Sequence, residues 1–245
     1  MSDNGNKVAL VVGAGDGTGG AVACRFAQEG FTVCATRRSA EAVEALCGEI
    51  TAAGGTAYPF AVDARDETEV TALMDRIEAE VGPIEVCVFN VGGNVRFPIT
   101  EMTAETFERT WRTTCFAAFL VGREAAARMV PRGHGTIIFT GATASVRGCS
   151  GFAAFAAAKH GKRALAQSMA RELGPKGIHV AHVVIDGVID TQAVKNRMPD
   201  LYEDRRSKEA LLRPDAIAEV YWHIHTQPRS AWAWEMDLRP WAEPW

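Results

Sequence analysis

The strongest constraint on the fold of this 245-residue chain is a regular alternation of short apolar runs with longer segments of helical periodicity. Residues 66–81, for example, place Val70, Leu73 and Met74 on one face, as in an amphipathic helix. The segments predicted as helices are 18–29, 39–53, 66–81, 103–130, 151–173 and 214–226. The segments predicted as strands are Lys7–Val12, Phe31–Thr36, Thr56–Val62, Ile84–Phe89, Thr136–Thr140, Ile178–Ile185 and 232–238.

This alternation predicts an α/β fold. Strands that alternate with helices are joined by right-handed crossovers, which make neighbouring strands parallel. Near-continuous apolar strands such as Ile178–Ile185 are typical of a sheet that is covered on both faces. We therefore expect one domain over residues 1–245, with a doubly wound parallel sheet of about seven strands and helices on both faces. The polar, irregular stretch 188–213 is either a loop over a bound substrate or a solvated surface excursion.

Composition excludes several functional classes. Hydrophobic residues make up 47% of the chain and charged residues 23%, which is typical of a globular protein. The net charge of −4 gives no basic bias toward nucleic acid or an anionic membrane. The apolar runs are too short to span a membrane, and the polar segment Met1–Lys7 lacks the apolar core of a signal peptide. We therefore expect a cytoplasmic protein.

The cysteines predict a reducing environment and no metal site. None of the six forms a C-x-x-C pair, and the histidines do not cluster with them. His223 and His225 fall at the end of a predicted helix. We expect the cysteines to be buried small apolar side chains; they are Cys24, Cys34, Cys47, Cys87, Cys115 and Cys149.

A glycine-rich turn joins the first predicted strand to the first predicted helix. Glycines let the backbone approach a pyrophosphate, and free N–H groups at the start of a helix point toward an anion. The spacing G-x-G-x-x-G fits Gly15, Gly17 and Gly20. The spacing G-x-x-x-G-x-G fits Gly13, Gly17 and Gly19 equally well. The alternative to a phosphate site is a glycine turn with a purely structural role.

The end of the second predicted strand indicates which dinucleotide binds. Arg37 and Arg38 stand where an NAD-specific fold usually places an acidic residue for the ribose 2′-hydroxyl. A guanidinium group suits a 2′-phosphate because its planar set of donors matches the phosphate oxygens. We therefore expect NADP(H) as the cofactor. The alternative is a pair of arginines on the solvated start of a helix.

Together these residues resemble the short-chain dehydrogenase/reductase family over nearly the whole chain. The family's glycine motif matches Gly13, Gly17 and Gly19, which selects the second register. The resemblance implies a Rossmann fold, with a family turn that is altered here to Phe89-Asn90-Val91-Gly92. The cofactor-binding residues that it implies, together with those of the glycine turn, are Gly13, Gly15, Asp16, Gly17, Thr18, Gly19, Arg37, Arg38, Asp63, Ala64, Asn90, Gly92, Lys159, Ile189 and Thr191.

The catalytic half departs from the family pattern. The family's tyrosine, which exchanges a proton with the substrate oxygen, falls on Phe155, and its serine falls on Ala142. Its asparagine falls on Thr114, and only the active-site lysine, Lys159, is kept. The longer Tyr-x6-Lys spacing of some enoyl reductases also meets phenylalanine in this chain. The resemblance therefore implies a site without its usual proton donor.

The groups that remain define the candidate catalytic set. In this family the lysine binds the nicotinamide ribose, so Lys159 has either a catalytic role or a binding role alone. Thr143 is the expected oxyanion donor and Ser145 offers a second hydroxyl, with ordinary turn contacts as the alternative. Tyr202, within the stretch 188–213, is an alternative proton donor. The candidate catalytic positions are Lys159, Thr143, Phe155 and Ala142.

These residues support three hypotheses. The first is an NADPH-dependent oxidoreductase that transfers hydride to a small carbonyl, enone or iminium substrate with non-standard proton delivery. The second is an NADP(H)-binding scaffold or regulatory protein, and the third is a non-redox lyase or isomerase on the same fold. The retained Lys159 favours the enzyme. An apolar substrate pocket is expected from Val95, Phe97, Val146, Phe152 and Phe155.

The C-terminal residues predict contacts between copies of the chain. Trp232, Trp234, Met236 and Leu238 alternate as in a strand, and tryptophan is enriched at protein interfaces. By the resemblance, such an edge and the two long helices near 103–130 and 151–173 pair in this family. We therefore expect a homodimer or homotetramer; the alternative is a tail folded onto its own subunit.

Overall fold

Parallel strands form the centre of the computed structural model, which describes residues 7–243. The strands are Val8–Val12 (β1), Thr32–Arg37 (β2), Thr56–Ala61 (β3), Ile84–Phe89 (β4), Gly135–Thr140 (β5), Ile178–Ile185 (β6), Val188–Ile189 (β7), Leu211–Leu212 (β8) and Glu235–Leu238 (β9). Seven of them form one sheet in the order β3-β2-β1-β4-β5-β6-β9, and β7 pairs with β8 in a second sheet. Every pairing between neighbours in the large sheet is parallel.

Helices cover both faces of the large sheet. They are Thr18–Gln28 (α1), Glu41–Ala52 (α2), Glu67–Glu80 (α3), Ala104–Trp111 (α4), Ala117–Met129 (α5), Ala153–Leu173 (α6), Gln192–Arg197 (α7), Pro199–Ser207 (α8) and Pro214–Thr226 (α9). A π-helical segment, Arg112–Phe116, joins α4 to α5. Short 3₁₀ turns follow α5, β5, α6 and α9.

The strands divide their side chains between two cores, because successive residues of a strand point to opposite faces. In β1, Val8, Leu10 and Val12 belong to one core together with residues of α3, α5 and α6. Ala9 and Val11 belong to the other core, with residues of α1, α2 and α9. All five residues are fully buried, which is why this strand is apolar at every position. The predicted α/β fold with a doubly wound parallel sheet is confirmed.

The strand order reverses beside β1, which has β2 on one side and β4 on the other. Ligands of open α/β sheets bind at the carboxyl ends of the strands, at such a reversal. The glycine-rich turn leaves β1 at Gly13, and Asn90 follows β4. The Asn90 N–H donates a hydrogen bond to the carbonyl of Val12 at 2.8 Å, which keeps the two strand ends together. This edge of the sheet is therefore where a site is expected.

The stretch 188–213 is more ordered than the sequence analysis predicted. It contains β7, α7, α8 and β8, whereas an irregular loop was expected. Thr191 caps α7 by accepting a hydrogen bond from the N–H of Val194 at 3.2 Å, and Pro199 opens α8. Both are ordinary signals for the start of a helix, but the high polarity of the segment outweighed them in the prediction.

Three smaller expectations are corrected. The helix predicted over 103–130 is divided by the π-helical segment Arg112–Phe116. The last strand, predicted over 232–238, begins only at Glu235. Cys149 is exposed, whereas the other cysteines are buried or half-buried as expected.

Two predictions rest on residues outside the described ones, which are 1–6 and 244–245. These are the polar N-terminal segment and the last tryptophan. Among residues 7–243, no helix is long and apolar enough to cross a bilayer. In the same residues, no group of three histidine, cysteine, aspartate or glutamate side chains could hold a metal ion.

Candidate functional site

The glycine turn after β1 is tightly packed except at one position. Gly13 has φ +93°, in the left-handed region that glycine favours, and a Cβ there would lie 3.1 Å from the backbone N of Val91. A Cβ on Gly19 would lie only 2.2 Å from the carbonyl oxygen of Gly13. A Cβ on Gly15, in contrast, would meet nothing within 4 Å. The turn is therefore close-packed against the loop after β4 and open at Gly15.

The first turn of α1 carries the backbone donors that an anion requires. Gly17 is its N-cap and supplies no side-chain cap. Among the described residues, the N–H groups of Thr18 and Gly19 have no hydrogen-bond acceptor, and the buried hydroxyl of Thr18 has no partner. Asp16, just before the cap, is exposed. Unpaired N–H groups at a helix start are what a phosphate group binds, so the turn fits the pyrophosphate of a dinucleotide.

The cleft beside this turn has a volume of about 420 Å³ and reaches two arginines at the end of β2. Arg37 is exposed; its Nη1 donates to the carbonyl oxygen of Ala42 at 3.3 Å and lies 3.7 Å from a carboxylate oxygen of Asp16. Arg38 also lines the cleft. Because both guanidinium groups are at the surface of an open cleft, they are available to a phosphate without loss of a buried ion pair.

The acidic side of the cleft is held by an internal ion pair. Asp63 accepts hydrogen bonds from Nε of Arg65 at 2.9 and 3.1 Å. The Arg65 guanidinium lowers the pKa of the Asp63 carboxyl below its usual range. Ala64, next to it, is buried. The pair fixes the Asp63 side chain at the wall of the cleft.

Asn90 and Gly92 connect the glycine turn to the lysine on α6. The side-chain amide of Asn90 donates to the carbonyl of Gly13 at 3.0 Å. A Cβ on Gly92 would lie 3.5 Å from Cε and 3.6 Å from Nζ of Lys159. The structure therefore brings Lys159 to the same sheet edge as the glycine turn, as the sequence analysis predicted.

Lys159 is buried on α6, and its ammonium group is held by main-chain carbonyls. Its Nζ donates to the carbonyl of Thr140 at 3.0 Å and to that of Gly141 at 3.2 Å. Nζ also lies 5.5 Å from the centre of the Phe155 ring, one helical turn earlier. Burial lowers the pKa of Lys159 to about 8, because the charged form loses its hydration. A proton on Lys159 is thus labile near neutral pH.

The two hydroxyl groups near Ala142, those of Thr143 and Ser145, both form hydrogen bonds within the protein. Thr143 Oγ1 donates to a carboxylate oxygen of Asp186 at 2.5 Å, and Asp186 also accepts from Arg239 at 2.6 Å. The N–H of Ala142 donates to Oγ of Ser145 at 3.1 Å. Thr143, the expected oxyanion donor, therefore already gives its hydroxyl proton to a carboxylate.

Residues of the 188–213 stretch also reach the site. The methyl group of Thr191 would lie 2.8 Å from a Cβ on Gly17, so α7 starts against the phosphate turn. Ile189 packs on the core that contains β1 residues Ala9 and Val11. Tyr202, the alternative proton donor, is buried, and its hydroxyl donates to Asp190 at 2.7 Å.

Two residues of the expected apolar pocket are exposed. Phe97 is 40% exposed and Val146 is 42% exposed. Phe152 lies under the guanidinium of Arg96, which is 5.6 Å from the ring centre. Thr114, at the family's asparagine position, is buried and accepts a hydrogen bond from the Gly93 N–H at 3.1 Å. The pocket remains a prediction.

Sequence reasoning missed a group of buried polar residues behind Lys159. Lys162 is fully buried and donates to the carbonyl of Val91 at 3.3 Å. His182, in the middle of β6, is fully buried and shares a 3.0 Å hydrogen bond with Glu235. Both were hidden in apolar patterns: Lys162 lies on the buried face of the 151–173 helix, and His182 lies within an apolar strand. A charged residue on an apolar face was the available signal.

Comparison with known proteins places the chain in a family. The short chain dehydrogenase family profile matches residues 7–201. A short-chain dehydrogenase/reductase of Armillaria gallica is 36% identical over 178 residues, which are 71% of this chain and 68% of that protein. The crystal structure of a short-chain dehydrogenase from Rhodopseudomonas palustris is 48% identical with a TM-score of 0.83, covering 96% of this chain and 99% of that one. A metagenomic short-chain oxidoreductase in complex with NADP is 28% identical with a TM-score of 0.83, covering 96% and 98%.

The seven-stranded parallel sheet, flanked by helices and with a cleft at its strand reversal, defines an α/β protein with a Rossmann fold. Within that class, the chain belongs to the short-chain dehydrogenase/reductase family of NAD(P)-dependent oxidoreductases that act on small molecules.

Proposed function

We propose that this protein is an NADPH-dependent oxidoreductase that transfers hydride to a small carbonyl, enone or iminium substrate without the family's tyrosine. The observation that carries the proposal is the position of Lys159. It is buried beside Gly92, at the edge of the sheet that holds the glycine turn, and its pKa is lowered to about 8. A lysine with a labile proton next to a dinucleotide cleft is suited to chemistry on the bound cofactor.

The preference for NADPH is supported by the arginines of the cleft. Arg37 and Arg38 are exposed at the end of β2, and the relative in complex with NADP shares the fold. The residues proposed to hold the cofactor are the candidate set of the sequence analysis, with the N–H groups of Thr18 and Gly19 on the pyrophosphate. The bound cofactor supplies the hydride. Lys159 is proposed to bind the nicotinamide ribose, as the family resemblance implies.

The catalytic positions proposed to differ from the family pattern are Phe155 and Ala142. Nζ of Lys159 lies over the Phe155 ring, 5.5 Å from the ring centre. A phenyl ring holds no exchangeable proton, and Ala142 offers no side-chain donor to a substrate oxygen. Substrates that need no strong acid, such as iminium ions, therefore fit this site best.

Titration of the protein with NADPH and, separately, NADH tests the proposal, with the intrinsic tryptophan fluorescence as the signal. We expect micromolar NADPH binding and at least tenfold weaker NADH binding, from one charge-assisted contact or more. NADPH oxidation in the presence of iminium, enone and ketone substrates follows. Absence of binding to both dinucleotides would overturn the proposal.

A second candidate is an NADP(H)-binding protein without turnover, and one observation favours it. Thr143, whose hydroxyl lies next to Ala142, is hydrogen-bonded to Asp186 and so is not free to donate to a substrate oxygen. If NADPH binds but no substrate of the three classes oxidises it, this candidate is preferred. In that case the cofactor would stabilise the protein against thermal unfolding without being consumed.

We also propose that 188–213 closes over the substrate and that the chain forms a homodimer or homotetramer. Contact between Thr191 and the phosphate turn supports the first part, since that segment already touches the site. Exposed aromatic side chains support the second; they are Phe107, Trp111 and Phe119 on the α4–α5 pair. Sedimentation analysis of the purified protein tests the assembly, and a monomer at micromolar concentration would contradict it.

A further inference from the structure

The last described residues of the chain cross the base of the stretch 188–213. Residues 239–243, called the C-terminal strap below, follow β9 and include a turn in which the Glu243 N–H donates to the carbonyl of Pro240 at 3.0 Å. Pro240 is buried, and its Cδ would lie 2.8 Å from a Cβ on Gly187, the residue just before β7. The strap is therefore packed against the point where the stretch leaves the large sheet.

The start of the strap is fixed to the sheet by a buried carboxylate. Nη2 of Arg239 donates to a carboxylate oxygen of Asp186 at 2.6 Å, and the Asp186 N–H donates to the carbonyl of Leu238 at 2.7 Å. Asp186 is 5% exposed and also accepts the hydrogen bond from Thr143. Charge-assisted hydrogen bonds are the strong ones, so the start of the strap cannot shift without the loss of such a bond.

The far end of the strap reaches α8, in the middle of the stretch 188–213. Nη1 of Arg205 lies 3.3 Å from a carboxylate oxygen of Glu243, and the two side chains are partly buried, with 27% and 14% exposed. Within the described part of the chain, this is the one polar side-chain contact from α7 or α8 that leaves the stretch. The others stay inside it, as does the hydrogen bond from Tyr202 to Asp190.

The helix that α8 packs against lies at the phosphate turn. α7 follows Thr191, whose methyl carbon would lie 2.8 Å from a Cβ on Gly17, the N-cap of α1. A single residue separates α7 from α8, and Nζ of Lys195 on α7 lies 5.7 Å from the centre of the Tyr202 ring on α8. A movement of α8 away from the strap would therefore carry α7 away from the glycine turn.

We propose that the C-terminal strap is a latch: the ion pair between Arg205 and Glu243 holds α8, and through it α7, against the glycine turn, and its opening admits and releases the cofactor. The inference deepens the proposed function and rests on it for the cofactor in the cleft. Arg205 and Glu243 are positioning residues, which act through α7. Because a partly exposed ion pair changes an equilibrium constant by only about two- to fivefold, the latch opens by local motion while the sheet stays folded.

Hydrogen exchange of the purified protein without cofactor, followed by mass spectrometry over peptides of α7 and α8, tests the latch directly. We expect Glu243→Gln to speed exchange in both helices by about two- to fivefold. Glu243→Arg should speed it more, because two positive charges then face each other. Glu203→Gln is the matched control, since it removes an exposed ion pair with Arg206 inside α8 and should leave α7 unchanged.

Rescue by a charge swap separates the ion pair from a general loss of structure. Arg205→Glu combined with Glu243→Arg restores opposite charges, so exchange in α7 and α8 should return toward that of the native protein. Unchanged exchange in both single variants of Glu243, or fast exchange that the swap does not correct, would overturn the inference. If Glu243→Arg does not fold, Arg205→Gln and Glu243→Gln decide it: a pair that acts together makes the double variant no faster than either single variant.

Stopped-flow dissociation of NADPH tests the control of the cofactor. We expect the dissociation rate to rise by about two- to fivefold in Glu243→Gln and to return in the charge swap, an effect that a merely structural role of the strap would not produce. Faster exchange with an unchanged dissociation rate would overturn this part of the inference. Failure of the native protein to bind NADPH would remove the proposed function while the exchange result still stands, so the two failures are distinguishable.

Discussion

The candidate site has two ends, the glycine turn after β1 and the two buried lysines on α6. The first is built from main-chain groups and the second from side chains. The glycine turn works through its backbone: the N–H groups of Thr18 and Gly19 are unpaired, and Gly13 and Gly19 leave no room for a Cβ. The lysine end works through side chains, with Lys159 and Lys162 in a buried pocket of polar atoms. At the close-packed glycines Gly13 and Gly19 an added Cβ would collide with the backbone, whereas a side chain such as Phe155 can be exchanged with less effect on the surrounding backbone. The two ends are therefore expected to differ in how they respond to substitution.

The sharpest test of the lysine end is Phe155→Tyr. The new hydroxyl would extend from a ring whose centre is 5.5 Å from Lys159 Nζ, and it would add the phenolic proton donor that the family resemblance implies for this position. We expect the NADPH-dependent reduction of ketones to rise by about 10²–10⁴-fold, the usual contribution of general acid catalysis. Phe152→Tyr is the matched control, since its ring lies under Arg96 instead. An unchanged rate in Phe155→Tyr would show that the proton already comes from elsewhere.

At the cofactor end, the largest effect is expected from Arg37→Ala combined with Arg38→Ala. Loss of two charge-assisted contacts to a 2′-phosphate at an exposed site is expected to weaken NADPH binding by about 10²-fold. NADH binding should stay within about threefold, because NADH has no 2′-phosphate. Calorimetric titration of both dinucleotides measures the ratio. Arg206→Ala, on the surface of α8, serves as the control. Equal losses for both dinucleotides would contradict the assignment.

Acid should destabilise the protein through two buried histidines, one of which, His182, lies behind the lysines of α6. Burial lowers the pKa of His182 from 6.5 to about 4, so the unfolded chain binds a proton before the folded protein does. Stability is therefore present above pH 6.5 and is lost as the pH falls toward 4, by about 3 kcal/mol for this one group. His225 has a similarly lowered pKa and adds to the loss. Urea unfolding at a series of pH values measures it.

The matched variants for this acid effect are His182→Gln and, at an exposed position, His134→Gln. Removal of the buried imidazole should reduce the pH-dependent loss by roughly half, since His225 still contributes. Substitution of His134 should leave the dependence of the unfolding free energy on pH as it is in the native protein. An unchanged pH dependence of stability in His182→Gln would show that the pKa of His182 is not lowered in the folded protein.

The smallest effects separate packing from binding within the glycine turn. Gly19→Ala forces a Cβ to 2.2 Å from the Gly13 carbonyl and is expected to destabilise the protein by about 1–3 kcal/mol. Gly15→Ala adds a Cβ in open space, so stability should stay within about 0.5 kcal/mol while NADPH binding weakens. Thermal unfolding and dinucleotide titration of the two variants give the comparison. A stable Gly19→Ala protein would mean that the turn is less rigid than described.

The sequence predicted the fold well where burial is uniform. Ile84–Phe89 and Ile178–Ile185 begin and end where the prediction put them, because strands buried on both faces stop where the apolar run stops. The stretch 188–213 was predicted poorly, because polar helices such as Pro199–Ser207 are stabilised by tertiary contacts, here those of the buried Tyr202, that composition does not reveal. At the site, the glycine turn follows from local spacing. The burial of Lys162 does not, because its contacts are with neighbours that only the folded chain brings together.

The π-helical segment Arg112–Phe116 has a consequence for the outer surface of the protein. One extra residue in a helix rotates everything beyond it by about 100°, a slip of phase between α4 and α5. Phe107 and Trp111 before the segment and Phe119 after it are each 39–40% exposed. Within the segment, Thr114 is buried and accepts a hydrogen bond from the N–H of Gly93. Removal of the extra residue would therefore be expected to rotate the exposed aromatic side chains of α5 relative to those of α4, and to disturb the inward contact of Thr114 at the same time.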